Sequence, residues 1–112
     1  MAKIAEISDG VFEQEVLQAD KPVLVDFWAP WCAPCRAIGK TLEDVAEQRG
    51  DQIKIVKMNI DDNQEQAIAL GVMLLPTVIL YKDGQVVDRL QGGVPPRQVS
   101  ALIDRHLGEA AD

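Results

Sequence analysis

The segment Val23-Leu24-Val25-Asp26-Phe27-Trp28 constrains the fold more than any other part of the chain. Apolar residues occupy both sets of alternating positions, so neither face of a strand built from it favours water. It therefore predicts a central strand covered on both sides. The flanking sequence supplies helices to cover it. A short strand is expected near 3–6, after which Ser8 or Asp9 is placed to cap a first helix with Phe12 and Val16 on one face. Downstream, Ile38, Leu42, Val45 and Ala46 make a helical stripe that stops at Gly50.

The remaining elements follow from local signals. Residues 53–60 read as a strand, and Asp62 with Glu65 resembles a capping box for a short helix ending at Gly71. Asp83-Gly84 lies between the apolar segments 77–82 and 86–91; a type I′ hairpin turn needs positive φ at both central residues, which this pair tolerates. Pro95 and Pro96 open a last helix with the stripe Val99, Leu102, Ile103 and Leu107, closed by Gly108. The order is β-α-β-α-β-α-β-β-α. Crossover helices make the first strands parallel and the hairpin adds an antiparallel edge, which is an α/β fold with a mixed sheet flanked by helices. The order of strands within the sheet stays open.

With 112 residues and no repeat or low-complexity linker, the chain is expected to form one domain over 1–112, with 109–112 as a loose tail. Its 18 acidic and 11 basic residues give a net charge of −7 without a Lys/Arg cluster, which argues against a nucleic-acid partner. No apolar run approaches the ~20 residues that cross a bilayer. The opening MAKIAEISDG lacks a basic region followed by an apolar run, so a cytoplasmic protein without membrane attachment is expected. That compartment keeps thiols reduced, and its rare disulfides are usually transient and catalytic.

Both cysteines fall in Trp31-Cys32-Ala33-Pro34-Cys35, between the buried strand and the next helix. Three readings compete. A zinc clip needs about four ligands, and beyond the cysteines there is only His106, near the far end of the last helix, so a metal would have to be shared between chains. A permanent staple across so short a loop restrains little of the unfolded chain. A redox pair fits best: Cys32, where a helix begins, faces unpaired N–H groups and the positive end of the helix dipole, which favour thiolate. Cys35 then lies on the same side of the first turn, and Pro34 is tolerated where N–H groups have no helical partner. Cys32 is the expected nucleophile and Cys35 the resolving thiol. Asp26 is the one charge in the buried strand, and burial would raise its pKa toward a range useful to a base. A purely structural carboxylate, paired with a cation such as Lys57, is the alternative. Trp28 is expected in the core, and Trp31 either on an exposed contact surface or packed.

These residues resemble the thioredoxin family across essentially the whole chain. The likeness rests on Val25-Asp26-Phe27-Trp28-Ala29, Trp31-Cys32 with Pro34-Cys35, Lys57, Asn59-Ile60-Asp61, Pro76-Thr77, Asp83-Gly84 and Gly92. It implies a thioredoxin fold and a thiol-disulfide oxidoreductase that reduces protein disulfides. The redox group would be the Cys32-Cys35 disulfide itself, with no bound cofactor and no metal. Partners would be disulfide-containing targets and a thioredoxin reductase, either flavoprotein or ferredoxin-linked, and the protein would be a monomer. By the same likeness Asp26 and Lys57 manage the Cys35 proton, and Pro76 is cis beside the cysteines. Trp31, Ala33, Pro34, Met73, Leu74 and Leu75 would meet the target with Pro76, and Gly92 would leave room for it.

The chain departs from the family pattern at three places. Ala33 replaces the usual Gly between the cysteines, and Lys40, after Gly39, replaces a proline, so any bend there should be weaker than a proline kink. Leu74 stands where a Gly usually precedes the cis proline, and with Met73 it makes an apolar, adaptable lip suited to hydrophobic targets or to a particular reductase. Two other functions compete with the reductase: a disulfide isomerase or oxidase with a less reducing pair, and a binding subunit in which the pair is secondary.

Overall fold

A computed structural model describes residues 3–108. Its five strands are β1 (Ala5–Glu6), β2 (Val23–Trp28), β3 (Lys54–Asn59), β4 (Thr77–Lys82) and β5 (Gln85–Gln91), joined in one sheet in the order β1-β3-β2-β4-β5. Strand β2 runs parallel to β3 and antiparallel to β4, and β1 runs parallel to β3. The sheet is therefore mixed, with β2 at its centre. The three α-helices among the described residues are α1 (Ala33–Arg49), α2 (Glu65–Ala69) and α3 (Pro96–Leu107).

Burial on both faces of β2 is satisfied by two separate cores. Val23, Val25 and Phe27 pack with Phe12, Val16, Met58 and Ala67 on the face covered by the N-terminal turns and α2. Leu24 packs on the opposite face with Ile38 and Leu42 of α1 and Leu102 and Ile103 of α3. Asp26 shares the parity of Leu24, so its carboxyl points toward the α1 side.

The N-terminal helix departs from a regular α-helix. A 3-10 turn over Asp9–Val11 leads into a wide π turn over Glu13–Leu17, closed by the Gln18 N–H donating to Glu13 O at 2.9 Å. Phe12 and Val16 are nonetheless both buried, so the spacing of the anchors was right and the winding was not. Neither Ser8 nor Asp9 caps this segment with its side chain. Asp9 instead reaches across the fold, where its two carboxyl oxygens accept the N–H groups of Glu65 and Gln66 at 3.1 Å each. It thus caps α2, a task the local pattern had given to Asp62.

The turns follow their residues. Asp83 and Gly84 both adopt positive φ, at 54° and 77°, and α2 gives way to Gly71 at φ 67°. Pro95 occupies the N-cap position of α3, without a side-chain hydrogen bond, and Pro96 lies in its first turn. Helix α1 runs without interruption through Gly39 and Lys40. The tail expected at 109–112 lies outside the described residues.

Candidate functional site

The carboxyl ends of β2 and β3 lie at one end of the sheet, where the chain must leave β2 and enter α1. Cys32 is the N-cap of α1, in extended conformation, its N–H donating to Ala29 O at 3.1 Å. Pro34 occupies the first helical turn. Cys32 and Cys35 form a disulfide with Cα atoms 5.4 Å apart. They are 6% and 4% exposed and pack with Ala29 and the partly buried Trp28, Ile60 and Leu75.

Two clefts meet at this disulfide. The outer one, about 480 Å³, is lined by Trp31, Cys32, Ala33, Pro34, Ile60 and Val72 to Leu75. Its rim is apolar and in solvent: Trp31 is 68% exposed, Met73 95% and Leu74 51%. Trp31 is held upright by Asp61, whose Oδ1 accepts the indole N–H at 3.1 Å, and Asp61 is itself fixed by its N–H donating to Asn59 Oδ1 at 2.9 Å. The floor is the turn at the Leu75-Pro76 cis peptide bond. Thr77 Oγ1 donates to Leu74 O, and the Gly92 N–H donates to Pro76 O at 2.7 Å, while the Leu75 N–H and C=O take no part in the turn's hydrogen bonds. Gly92 has φ 85°, and a Cβ there would lie 3.7 Å from Leu74 Cδ2, so the leucine closes over the glycine.

The inner cleft, about 320 Å³, is lined by Asp26, Trp28 and Lys57 from the sheet, by both cysteines, and by Arg36, Gly39, Lys40 and Glu43 from α1. Cys32 touches both clefts, whereas Cys35 touches only the inner one. A Cβ at Gly39 would meet nothing within 4 Å, so this glycine helps keep the inner cleft open.

Asp26 is 3% exposed and its Oδ1 accepts no hydrogen bond. Burial pushes its pKa up from 3.8 to about 7, and the positive charge of Lys57 restrains the rise. Lys57 is the direct register partner of Asp26 across β2 and β3, yet the two form no ion pair. Its Nζ stands 4.9 Å over the Trp28 ring centroid and 3.8 Å from Glu6 Oε1.

All of the residues expected at the site come together around the disulfide, Gly92 through its contacts with Pro76 and Leu74. Sequence reasoning had not placed Ile60 and Val72 in the outer groove or Asp61 beneath the Trp31 indole, nor Arg36, Gly39, Lys40 and Glu43 on the wall of the inner cleft, and it had not marked Glu6, which reaches Lys57 from β1. Ile60 and Asp61 were detectable, because ligand sites in such sheets sit beyond the carboxyl ends of the parallel strands. Among the described residues no group of three or more His, Cys, Asp or Glu could hold a metal. None of the helices described is long and apolar enough to cross a membrane.

Comparison with known proteins agrees with this geometry. The thioredoxin family model matches residues 3–105. "Thioredoxin 1" of Synechococcus elongatus is 45% identical over 107 residues, spanning 96% of this chain and 100% of that protein. The thioredoxin of Haemophilus influenzae is 43% identical over the same shares, and that of Listeria monocytogenes is 42% identical over 104 residues, 93% of this chain and 99% of its own length. With a family match over nearly its whole length and a disulfide seated at the start of α1, the chain belongs to the thioredoxin family and is a thiol-disulfide oxidoreductase.

Proposed function

We propose that Cys32 is the attacking sulfur, Cys35 the resolving sulfur and Asp26 the base that takes the Cys35 proton as the protein reduces disulfides in other proteins. The observation that carries this division is that Cys32 alone borders the outer groove, while Cys35 shares the inner cleft with Asp26. The Cys32 thiolate, favoured by the N-terminal N–H groups of α1, attacks one sulfur of the target disulfide and expels the other as a thiolate. A mixed disulfide results. Asp26 then takes the proton of Cys35, whose thiolate attacks Cys32 and expels the second target sulfur. Two electrons pass to the target and the Cys32-Cys35 disulfide forms. Lys57, across the register from Asp26, steadies the carboxylate while it carries charge.

The outer groove receives the target. An extended segment aligns on the free N–H and C=O of Leu75, as an added strand does at a sheet edge, with Pro76 holding the turn. Trp31, Ala33, Pro34, Met73 and Leu74 supply apolar contact on either side, and Gly92 sits under Leu74. The lip of Met73 and Leu74 favours targets with a large apolar residue beside the cysteine.

Each cycle leaves Cys32 and Cys35 as a disulfide, and two electrons must reduce it to the dithiol before the next, so the partner on the other side is a thioredoxin reductase, flavoprotein or ferredoxin-linked. A reducing compartment, the cytoplasm, suits that cycle. Both sulfurs, the base and the groove come from one chain, so a monomer suffices. The test is trapping. With a disulfide-bearing protein such as insulin, Cys35→Ser should accumulate a covalent adduct on Cys32 that dithiothreitol releases, and Cys32→Ser should not. Equal trapping by the two variants would overturn the assignment.

A further inference from the structure

Direct register partners in a sheet project from the same face, and here they align three charges in one row. Glu6 of β1 pairs with Lys57 of β3, and Lys57 pairs with Asp26 of β2. The row continues through Val78 of β4 and Leu90 of β5, both apolar, so the charges are confined to one end of it. Acid, base and acid thus run from the exposed sheet edge to the buried centre.

The middle member leans outward. Lys57 Nζ is 3.8 Å from Glu6 Oε1, forms no ion pair with Asp26, and rests over the Trp28 ring. Glu6 is fixed at its place by the backbone, because the next N–H, that of Ile7, donates to Lys57 O at 2.9 Å. The other charges facing the inner cleft are Arg36, Lys40 and Glu43 of α1, and among the described residues none of them forms an ion pair. Among the charged groups of the described residues, Glu6 alone lies within ion-pair distance of the Lys57 ammonium.

We propose that Glu6 is a positioning residue for the exchange reaction: it draws the Lys57 ammonium toward the sheet edge and so sets how readily Asp26 accepts and returns the Cys35 proton. This rests on the role given to Asp26 above. Its physical content is a competition. A lysine shared between two carboxylates gives less of its field to either, and the exposed acid takes the nearer position without the desolvation cost the buried one bears. Neutralising Glu6 removes the competitor and a distant like charge, and both changes favour the Asp26 carboxylate.

The test is a carboxyl-carbon NMR titration of Asp26 in the oxidised parent, Glu6→Gln, Lys57→Met and the double variant. Glu6→Gln should lower the Asp26 midpoint by about 0.5 pH unit, threefold in proton affinity, a size set by exposed charge pairs. In the Lys57→Met background, which keeps an apolar stem on Trp28, the same change should move it by less than half as much. An unmoved midpoint, or equal shifts in both backgrounds, would overturn the proposal. Lys57→Gln repeats the cycle should Lys57→Met fail to fold. The acid limb of the pH profile for resolving the mixed disulfide should follow the midpoint. If the midpoint moves and the limb does not, Glu6 acts as proposed and the role of Asp26 as base is what fails.

Discussion

Replacing Asp26 with Asn separates the cost of a buried charge from everything else at the site. In the unfolded chain the carboxyl ionises near 3.8, and in the folded protein near 7. The folded state therefore prefers the protonated form, and that preference is fully present below the unfolded value and is lost as the pH rises through 7. Between the two values the unfolded chain releases a proton that the folded protein keeps, so the parent should lose ~1.4 kcal/mol of stability per pH unit. Above about pH 8 the loss levels off near ~4 kcal/mol. Asn cannot ionise and escapes this. Urea unfolding of the oxidised proteins from pH 3 to 9 should show Asp26→Asn nearly level with the parent at pH 3. It should lead by ~2 kcal/mol at pH 5 and ~4 kcal/mol at pH 8, with unchanged m-values. A difference that is flat with pH, or that grows toward acid, would refute the reasoning.

Arg49 is 6% exposed and ties α1 to the end of α3: it donates to Gln52 Oε1 at 2.9 Å, Asp104 Oδ1 at 2.6 Å and Gly108 O at 2.7 Å. Arg49→Ala should cost ~3 kcal/mol in urea unfolding, and a loss under ~1 kcal/mol would show that water replaces the guanidinium without penalty. Leu74→Gly should raise KM about fivefold for targets with an apolar residue beside the cysteine, from lost apolar contact, and leave the rate with a small disulfide unchanged. Equal effects on both would remove Leu74 from target selection. Burial works upward on the Asp88 carboxyl, but the His106 hydrogen bond, the Arg89 N–H and the Arg105 charge hold it below its ordinary 3.8. Its stabilisation is complete above that value and disappears as the pH falls through the lowered one, so in urea unfolding Asp88→Asn should destabilise at pH 6 by an amount that shrinks as the pH is taken below 3.8, and a deficit constant with pH would refute this.

How much of this was legible depends on the range of the interaction. The hairpin at Asp83-Gly84 and the helix opening at Pro95-Pro96 are decided by backbone chemistry within two residues, and both formed as read. Asp26 stood out because a lone charge in an otherwise apolar strand has to be buried with the strand. The cap of α2 was misassigned because Asp9 lies 56 residues from the Glu65 N–H it binds, and no local pattern marks such a partner. Glu6 was invisible for the same reason. It matters only once β1 is known to pair with β3, and the strand order does not follow from the sequence of elements. Lys57 was expected as a partner of Asp26; register brings the two side by side, but the choice between Asp26, Glu6 and the Trp28 ring is made by three strands together.

The central claim is that Cys32 and Cys35 form a reducing pair that serves other proteins. The most direct measurement is the reduction potential of that pair, by equilibration with glutathione or a reference dithiol while Trp28 and Trp31 fluorescence reports the state. A value below the cytosolic glutathione poise, about −220 to −260 mV, is predicted for a donor that delivers electrons to target disulfides. A value above about −180 mV would contradict it and make the protein an oxidant or isomerase, with Ala33 and the Met73-Leu74 lip the first places to look for the cause.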